Sequence, residues 1–403
     1  MSDMPLPVLG IDMLADETRL RAGAVRSAVN VDIDAAGQFK RRDGYAVVDA
    51  ADSFTGIHSF NGTVYVGMGA NLCHLNTATY ALTVICSMGT EAPIEFTEYN
   101  GDLYVCGPRA LWRITGGAVK PVGVQVPSLP TAVPHASGTL TPGRYGVAIS
   151  IVDASGEESP AVMLGYLNLT AGLRLEALPV VADHKWRVYV TPPDGDVLYL
   201  AEEFDAMLSQ YAVTVYPGGA PCQTLNLHPM PPGDFVCAKA GRLYVAAGDT
   251  LWFSEALRPH LTSPRHNFVR FVGRIRFVEL VEGGAFVGDD RGVWWMAGTD
   301  PSGWAQSLVS SSLAVRRSSL IVPAEDLPGD SSGDCAVWLS TQGYMVGAPG
   351  GSVRPLQPGR IKLSPDLEGR SVFITRDGIK QVITLTAASP ATSFGVALDT
   401  STQ

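Results

Sequence analysis

Residues 234–256 read DFVCAKAGRLYVAAGDTLWFSEA, and this stretch contains the pattern that decides the fold. Short runs in which apolar residues alternate with others predict β-strands, because successive side chains of a strand point to opposite faces. The pair Ala240-Gly241 lies between the first two runs, and Gly248-Asp249 lies between the second and the third. Such pairs are typical of tight hairpin turns. The stretch therefore predicts three antiparallel strands joined in chain order.

The same pattern recurs at five further places along the chain. The copies are FTGIHSFNGTVYVGMGANLCHLN (54–76), IEFTEYNGDLYVCGPRALWRIT (94–115), IRFVELVEGGAFVGDDRGVWWMAG (275–298), a weaker CAVWLSTQGYMVGAPGGSVRPL (335–356) and a truncated RSVFITRDGIKQVITL (370–385). The Asn61-Gly62 and Asn100-Gly101 pairs are strong signals for two-residue turns, which need positive φ at both positions. Three units carry tryptophan in the third strand, as LWRI, LWFS and VWWM.

Repeated units of this kind predict an all-β fold, and radial stacking of such sheets is typical of a β-propeller. One unit cannot bury its faces alone, so neighbouring units must cover them. A repeated Trp-Asp signature is absent from the sequence, so this prediction depends on spacing and alternation. Five fuller units and one shared unit predict six blades, and five or seven blades stay open as alternatives.

The two chain ends predict how the ring of blades is closed. The stretch AVNVDIDAAGQFKRRDGY (28–45) reads as a β-hairpin without a local partner, whereas the last copy supplies only about two strands. A hairpin over 28–48 would complete that last blade, because a closed toroid of sheets leaves no open strand edge. We therefore expect a propeller closed by N- and C-terminal strands.

An insertion interrupts the repeats after the second copy. Pro-rich segments, PSLPTAVP and LHPMPPGD, flank about 100 residues that contain several short alternating strands. This pattern predicts an inserted immunoglobulin- or fibronectin-III-like β-sandwich. The predicted organisation is an N-terminal segment with the closing hairpin and first blades (1–124), the inserted sandwich (125–232) and the remaining blades (233–403).

The composition limits the class of function. Charged residues make up 17% of the chain, and the net charge is −10. The numbers of glycines (43) and prolines (28) are high. An acidic chain of this kind argues against a main surface that grips nucleic acid, although it allows a protein that surrounds DNA. No apolar run approaches the roughly 20 residues of a membrane-spanning helix. The N-terminal residues lack a signal-peptide pattern, so we expect synthesis in the cytosol.

The sequence predicts no catalytic, cofactor or metal site. GxSxG, HExxH and P-loop motifs are absent and the seven histidines are scattered. The six cysteines show no CxxC spacing and are interpreted as free, buried thiols, with a Cys73–Cys86 disulfide as the alternative. The segment GDDRGVWW (288–295) resembles the Asp-box turn of sialidase-like propellers. We interpret it as a structural turn in which the aspartate of the Asp-x-Gly-x-x-Trp pattern, Asp290, caps the hairpin.

Cations form three short clusters on this acidic chain. The clusters are Lys40, Arg41 and Arg42; Arg265, His266, Arg270, Arg274 and Arg276; and Arg316 and Arg317. They could be solvated faces or protection of strand edges. The functional interpretation is contact with a partner subunit or a phosphate backbone. The candidate subunit-interface residues are Lys40, Arg41, Arg42, Arg265, Arg270, Arg274 and Arg276, with Glu202, Glu203 and Asp205 as the acidic surface that they would meet.

The N-terminal stretch GIDMLADETRLRAGAVRSAVNVDIDAAGQFKRRDGYAVV resembles the N-terminal signature of a family of bacteriophage tail proteins. The matching positions are Gly10, Leu20 to Arg26, Ala28, Asn30 to Asp32, Gly37, Lys40 to Arg42 and Gly44-Tyr45. The family is the tail nozzle, or tail tubular protein B, of short-tailed phages, and the match covers about 40 residues. The resemblance implies a ring at the end of the tail through which DNA passes.

The sequence thus predicts a structural virion protein of a phage tail and no enzyme. The resemblance implies a homohexameric ring, neighbouring tail, adaptor and tail-fibre proteins, and transient passage of phage DNA without sequence-specific binding. We expect the protein in the virion after synthesis in the host cytoplasm. Two alternatives stay open: a propeller enzyme that degrades envelope polysaccharide, and a tail module that binds a carbohydrate or receptor. Exposed aromatic residues would favour the binding module, and Trp186 and Tyr189 are candidates unless they lie in the core.

Overall fold

The computed structural model describes residues 11–27, 31–33, 39–41, 54–126, 128–216, 218–329, 332–356, 361–376 and 379–388, and these residues form an all-β fold. The predicted fold class is confirmed at this level. Within these residues the only helical elements are three 3₁₀ turns, at Glu17–Arg19, Pro301–Gly303 and Ala324–Asp326. No helix among them has the length and apolar character needed to cross a membrane.

Antiparallel strands in chain order form the first part of the fold. Strand β1 (Val31–Ile33) pairs with β2 (Phe39–Arg41). Sheet 1 consists of β3 (Phe54–Phe60), β4 (Thr63–Met68), β5 (Asn71–Leu75) and β6 (Leu82–Ser87). Sheet 2 consists of β7 (Glu95–Tyr99), β8 (Asp102–Gly107), β9 (Ala110–Thr115) and β10 (Ala118–Pro121). Each sheet is a four-stranded antiparallel meander, with one strand more than the three that the repeated pattern predicts.

Two sheets of a different topology follow. One contains β11 (Thr131–His135), β14 (Gly172–Glu176) and β17 (Gln210–Val213), with β14 in the middle. The other contains, in spatial order, β13 (Val162–Leu169), β12 (Gly143–Val152), β15 (Lys185–Val190) and β16 (Tyr199–Asp205). One hydrophobic cluster includes residues of both sheets, so they face each other as a sandwich inside the predicted insertion.

Three more four-stranded meanders follow the sandwich. Sheet 3 contains β19 (Phe235–Lys239), β20 (Arg242–Ala247), β21 (Thr250–Phe253) and β23 (Phe268–Arg270), and the short β18 (His228–Pro229) pairs with β22 (Leu261–Thr262). Sheet 4 contains β24 (Phe277–Val281), β25 (Gly284–Asp289), β26 (Gly292–Ala297) and β27 (Ala305–Ser310). Sheet 5 contains β28 (Leu320–Pro323), β29 (Asp334–Ser340), β30 (Gly343–Gly347) and β31 (Val353–Pro355). A final hairpin pairs β32 (Leu367–Arg376) with β33 (Ile379–Ala388).

Each meander shares a buried core with the next one along the chain. Successive hydrophobic clusters join sheets 1 and 2, sheets 2 and 3, sheets 3 and 4, and sheets 4 and 5, and a further cluster joins sheet 5 to the final hairpin. Trp338 of sheet 5 is fully buried, and its ring centroid lies 5.3 Å from that of Phe277 and 5.7 Å from that of Phe286 in sheet 4. The sheets therefore stack in chain order through large side chains.

The turns follow the sequence signals. Asn61 and Gly62 have φ of 48° and 76°, and Asn100 and Gly101 have φ of 52° and 80°. Both pairs thus take the left-handed conformation that two-residue hairpins require, which confirms this prediction. Asparagine tolerates that conformation better than most residues and glycine has no side chain to oppose it.

The two end hairpins are both present, but they form separate two-stranded sheets in the described residues. No hydrophobic cluster of that part of the chain joins the β32–β33 hairpin to sheet 1. Closure of the ring by paired chain ends therefore stays a prediction. The rest of the predicted N-terminal hairpin, within 28–48, lies outside the described residues.

The sandwich core contains the two aromatic residues that the binding-module alternative would need on the surface. Trp186 is 0% exposed and Tyr189 is 4% exposed. Trp186 packs among residues of both sheets, whereas Tyr189 packs beside Ala148 and Leu198 and donates its hydroxyl to Glu158. These residues are core residues, so they are not a recognition surface.

We expect Trp186→Ala to lower the free energy of unfolding of the sandwich by about 3–5 kcal/mol, because it removes a large fully buried side chain and leaves a cavity. Val180→Ala is the control, since Val180 is 56% exposed. Urea denaturation followed by tryptophan fluorescence and circular dichroism measures both. A loss below about 1 kcal/mol for Trp186→Ala would contradict the described packing.

Candidate functional site

A cluster of charged side chains joins the beginnings of successive sheets. This central ion cluster consists of Glu95, Asp234, Arg274, Arg316, Arg317, Glu368 and Arg370. Glu95 is the first residue of β7, and Asp234 directly precedes β19. The arginines come from the segments before β24 and β28 and from β32. The cluster therefore connects sheets 2, 3, 4 and 5 and the final hairpin.

The backbone before β28 positions two successive arginines in this cluster. Arg317 has a left-handed φ of 63°, and its backbone N–H donates to the Arg276 carbonyl at 3.0 Å. The Gly369 N–H donates to the Arg316 carbonyl at 2.7 Å, which ties β32 to the same turn. The Ser318 hydroxyl, which is buried, donates to the Val315 carbonyl at 2.6 Å. These bonds hold the turn while both arginine side chains reach the cluster.

Arg317 is the most deeply buried charge of the cluster, with a side chain that is 1% exposed. Its Nη1 atom donates to Glu95 Oε1, and its Nη2 atom lies 3.8 Å from Asp234 Oδ1. Its guanidinium carbon lies 4.8 Å from the centroid of the Phe235 ring. Two carboxylates and an aromatic face thus compensate the cost of removing this charge from water.

Arg316 and Arg370 extend the cluster to both sides of Arg317. Arg316 has one nitrogen 3.0 Å from Asp234 Oδ2 and another 3.1 Å from Glu368 Oε1. Arg370 Nη1 lies 2.6 Å from Glu95 Oε2, and Arg370 Nη2 donates to the Ile94 carbonyl at 2.8 Å. The final hairpin is therefore anchored directly to sheet 2.

Burial and charge act in opposite directions on the acids and bases of the cluster. Burial alone would raise the pKa of Asp234, but the positive charges of Arg316, Arg274 and Arg317 outweigh it and the pKa lies below its ordinary value. Burial lowers the pKa of Arg317 to about 10, and the nearby Glu95 charge opposes that shift. Asp234 and Arg317 therefore both keep their charges at neutral pH.

Glu279 lies in β24 and behaves differently from the carboxylates of the cluster. Burial raises the pKa of Glu279 to about 7, while a hydrogen bond with Ser319 opposes the shift and the Glu95 charge adds to it. The same carboxyl group contributes to raising the pKa of Cys237, although burial is the main cause there. The carboxyl group of Glu279 is thus half-buried, and no positive charge contributes to the shift of its pKa.

The structure separates the predicted interface cations into two groups. Arg274 and Arg276 make intramolecular contacts: Arg274 with Asp234 at 3.2 Å, and Arg276 with Asp290 at 2.8 Å and with the Ala314 and Pro365 carbonyls. Arg265 and Arg270 lie outside the central ion cluster, and both are exposed, as Arg274 also is. Arg270 pairs with Asp249 at 2.9 Å, and the Arg265 side chain makes no ion pair with the described residues.

The N-terminal cations are described only in part. Lys40 and Arg41 lie in β2, and Arg41 is exposed. Of the N-terminal signature, Gly10, Ala28, Asn30, Gly37, Arg42, Gly44 and Tyr45 lie outside the described residues. Arg26 of the signature donates to the Met13 carbonyl at 2.9 Å, so it folds its own segment back on itself.

The proposed acidic counterpart on the sandwich is partly engaged within the chain. Glu203 pairs with Lys185 at 2.9 Å and with Arg187 at 2.8 Å. Glu202 accepts a hydrogen bond from the Tyr211 hydroxyl at 3.3 Å, and Asp205 accepts one from the Met207 N–H at 2.9 Å. A partner subunit would therefore compete with intramolecular contacts at this surface.

The Asp-box-like turn is structural, but the sequence pattern assigned its cap to the wrong aspartate. Asp289 is fully buried, and its Oδ1 accepts from the Arg291 N–H at 2.8 Å and from the Gly292 N–H at 3.1 Å. Asp290 instead accepts from Arg274 N–H and Arg276 Nε. Successive residues of a strand face opposite sides, so only Asp289 points into the turn.

The described residues contain no group of three or more His, Cys, Asp or Glu side chains that could hold a metal ion. Cys73, Cys86, Cys106, Cys222 and Cys237 are free thiols, and Cys73, Cys106 and Cys335 are buried. Burial is the main cause that raises the pKa of Cys86 to about 11 and of Cys106 to about 12. These thiols therefore stay protonated at neutral pH.

Sequence reasoning missed Glu95, Asp234 and Glu368 as partners of the arginines. The repeats contain a signal for the first two. A charged residue directly precedes a phenylalanine at the start of the first strand in three copies, as Glu95-Phe96, Asp234-Phe235 and Arg276-Phe277. Charge at an equivalent position of stacked units predicts that these side chains meet at one end of the stack.

Comparisons with known proteins give no family. No family model and no curated protein matches the chain. Among solved structures, the N-terminal domain of Nup159 has a TM-score of 0.32 at 10% identity, covering 83% of this chain and 73% of that one. The Neurospora crassa Pan2 WD40 domain has a TM-score of 0.32 at 9% identity, covering 82% of this chain and 86% of that one.

An extracellular domain of a putative hybrid two-component system from B. thetaiotaomicron has a TM-score of 0.29 at 11% identity, covering 78% of this chain. This chain spans about a third of that protein's length, 34%. Scores at this level assign neither an arrangement of the sheets nor a function.

We expect Arg317→Met to destabilise the protein by about 3–5 kcal/mol, because it leaves Glu95 and Asp234 buried with less compensating charge. Methionine keeps a long side chain at this position, so the loss measures the charge. Arg270→Met is the matched control, since it removes an exposed arginine that also pairs with an aspartate. Guanidinium denaturation compares the two, and equal stabilities would contradict the role of the cluster.

We expect Glu279 to make stability depend on pH. The folded state binds its proton more tightly than the unfolded state, whose pKa is near the ordinary 4.5, so stability falls as pH rises from about 4.5 to about 7 and then stays level. Glu279→Gln should match the wild type near pH 4 and exceed it near pH 8. Glu282→Gln, on the exposed turn of the same sheet, controls for the lost charge. Thermal unfolding of the wild type and both variants between about pH 4 and pH 8 tests this prediction. It would be contradicted if the stabilities of the wild type and Glu279→Gln changed in parallel with pH.

Proposed function

We propose that this chain is a structural subunit of a short-tailed phage tail, assembled as a ring around the path by which DNA leaves. The observation that carries the proposal is the N-terminal signature within residues 10–45, followed by repeated four-stranded meanders with a sandwich between the second and third. We propose no catalytic activity. The carboxylates of the central ion cluster, Glu95 and Asp234, are held by arginines, which does not favour a pair of acid–base carboxyl groups.

The sheets in this proposal form a closed six-bladed propeller. Five meanders stack in chain order, and the β32–β33 hairpin continues the stack as an incomplete sixth sheet. The β1–β2 hairpin would complete that sheet, as strands from both ends do in closed toroids. The inserted sandwich, with three strands in one sheet and four in the other, is then of the immunoglobulin or fibronectin-III kind.

In the proposed ring, DNA passes between subunits and not through the centre of one subunit. Support for this comes from the central ion cluster, because Arg317 is buried where sheets 2, 3, 4 and 5 meet. An ion cluster of this kind fills the region that a strand of DNA would need. The resemblance to tail nozzle proteins implies six copies, with neighbouring tail and adaptor proteins as partners in the virion.

A cyclic ring needs a heterologous interface in which one surface of a subunit meets a different surface of the next. Among the described residues, Arg265 and Arg270 are the best candidates for this interface, because both are exposed and neither belongs to the central ion cluster. Exposed cations on an acidic chain would steer subunits together and make assembly sensitive to salt.

We expect the purified chain to form a species of six chain masses in mass photometry at about 50 mM salt, and to dissociate in part at about 0.5 M salt. The double variant Arg265→Glu with Arg270→Glu should shift the population to the monomer at low salt. Arg109→Glu, an exposed arginine on sheet 2, is the control and should leave the ring intact. A wild-type chain that is monomeric or trimeric at every salt concentration would contradict the ring.

A further inference from the structure

A polar cleft lies between the meanders and the inserted sandwich. Its volume is about 400 Å³. The turn between β7 and β8 and the start of β8 form one side, the 155–158 loop of the sandwich forms the second, and residues 257–261 form the third. The cleft therefore exists only because the sandwich is docked against sheets 2 and 3.

Ion pairs that cross the cleft dock the sandwich. Arg113 of sheet 2 donates to Asp102 at 2.7 Å and to Glu157 of the sandwich loop. Lys120 of sheet 2 pairs with Asp153 at 3.0 Å and with Glu157 at 2.7 Å, whereas Arg187 pairs with Glu158 at 2.8 Å within the sandwich itself.

Arg258 also lines the cleft and donates to Gln223 instead of a carboxylate. The charges of the lining nevertheless balance, because it contains three arginines, Arg113, Arg187 and Arg258, and three carboxylates, Asp102, Glu157 and Glu158. This balance favours an uncharged occupant.

Several polar atoms at the cleft form no hydrogen bond with the described residues, although one of them, His260 Nδ1, lies 3.8 Å from Glu157 Oε1. His260 donates from Nε2 to the Glu158 carbonyl at 3.0 Å, so the neutral ring leaves Nδ1 as an acceptor. That Nδ1 is buried without a hydrogen bond, and the side chain is only 8% exposed. The hydroxyl of Tyr104 and the side-chain amide of Asn100 also line the cleft, and neither forms a hydrogen bond within the described chain.

Buried polar atoms are nearly always satisfied, so the buried and unpaired Nδ1 of His260 indicates that the cleft takes up a hydrogen-bond donor, while the exposed Asn100 amide is free to bind a ligand at the rim. The cleft offers an acceptor at His260, a hydroxyl at Tyr104, an amide at Asn100 and the half-buried ring of Tyr99. Hydroxyl groups both donate and accept, so a ligand rich in hydroxyls can satisfy this mixed set without a net charge.

We propose that this cleft binds an uncharged saccharide. The Tyr104 hydroxyl, the Asn100 amide and His260 Nδ1 hydrogen-bond to the sugar hydroxyls, and the Tyr99 ring packs against the apolar side of the sugar. The binding does not require ring assembly, so it goes beyond the proposed function and can hold or fail independently of it.

The test is binding of defined sugars to the purified full-length chain, followed by saturation-transfer NMR and calorimetry. Glucose, galactose and N-acetylglucosamine are the uncharged probes, and glucosamine and glucuronate are the charged counterparts. Isomaltose and dextran, which share one linkage, separate recognition of a free sugar from recognition of a polymer. We expect saturable binding of at least one uncharged probe and weaker binding of the charged ones.

Two conservative variants connect that binding to the cleft. Tyr104→Phe removes only a hydroxyl group, and Asn100→Gly removes an amide at a position whose φ of 52° glycine adopts freely. Each should weaken Kd about 3- to 10-fold, the effect of one hydrogen bond. Tyr80→Phe, at a tyrosine that is 52% exposed and absent from the cleft lining, is the matched control and should bind as the wild type does.

Three results would overturn the proposal. The first is that none of the uncharged probes binds. The second is that glucosamine or glucuronate binds at least as tightly as the uncharged sugars. The third is that Tyr104→Phe and Asn100→Gly, both folded by circular dichroism, bind with unchanged Kd.

Discussion

The burial of Arg317 between Glu95 and Asp234 is the constraint on which the arrangement of the sheets depends. A guanidinium group that is 1% exposed is tolerated only where carboxylates compensate it, and here those carboxylates begin the first strands of sheets 2 and 3. Arg370 then brings the final hairpin to the same Glu95. Hydrophobic clusters stack each sheet on the next, whereas this cluster joins sheets that are distant in the chain. The sheets are thereby held by ion pairs between sheets that are distant in the chain as well as by apolar packing between successive sheets.

The sequence predicts the parts of this fold that are local. Asn-Gly pairs and alternating runs specify hairpins because the turn and both strands lie within about 15 residues. The cluster was not predicted, because Arg317 and Glu95 are 222 residues apart and Arg370 and Glu95 are 275 apart. The sequence shows that the arginines are clustered, but it does not show which carboxylates they pair with. The Asp-box pattern identified the right turn and the wrong aspartate, since pattern matching does not specify which face of the strand is buried.

The insertion adds chemistry that the meanders lack. Its loop at 155–158 places Glu157 beside Arg113 of sheet 2, and His260, which directly precedes β22, donates to the Glu158 carbonyl. Docking therefore uses ion pairs and hydrogen bonds instead of a large apolar contact, and the geometry leaves a polar cleft. No motif in the sequence indicates this cleft, because its walls come from three separated segments. The aromatic residues that the sequence offered for recognition, Trp186 and Tyr189, are in the core.

The central proposal is that the ion cluster closes each subunit at its own centre, and that several subunits surround a common DNA path. A cryo-EM reconstruction of the purified assembly tests this claim most directly. The account predicts copies related by six-fold rotation, an open lumen between them, and side-chain density that joins Arg317 to Glu95 and Asp234 inside each copy. A reconstruction in which a copy is open at its centre, or in which the chain stands alone without a common lumen, would contradict it.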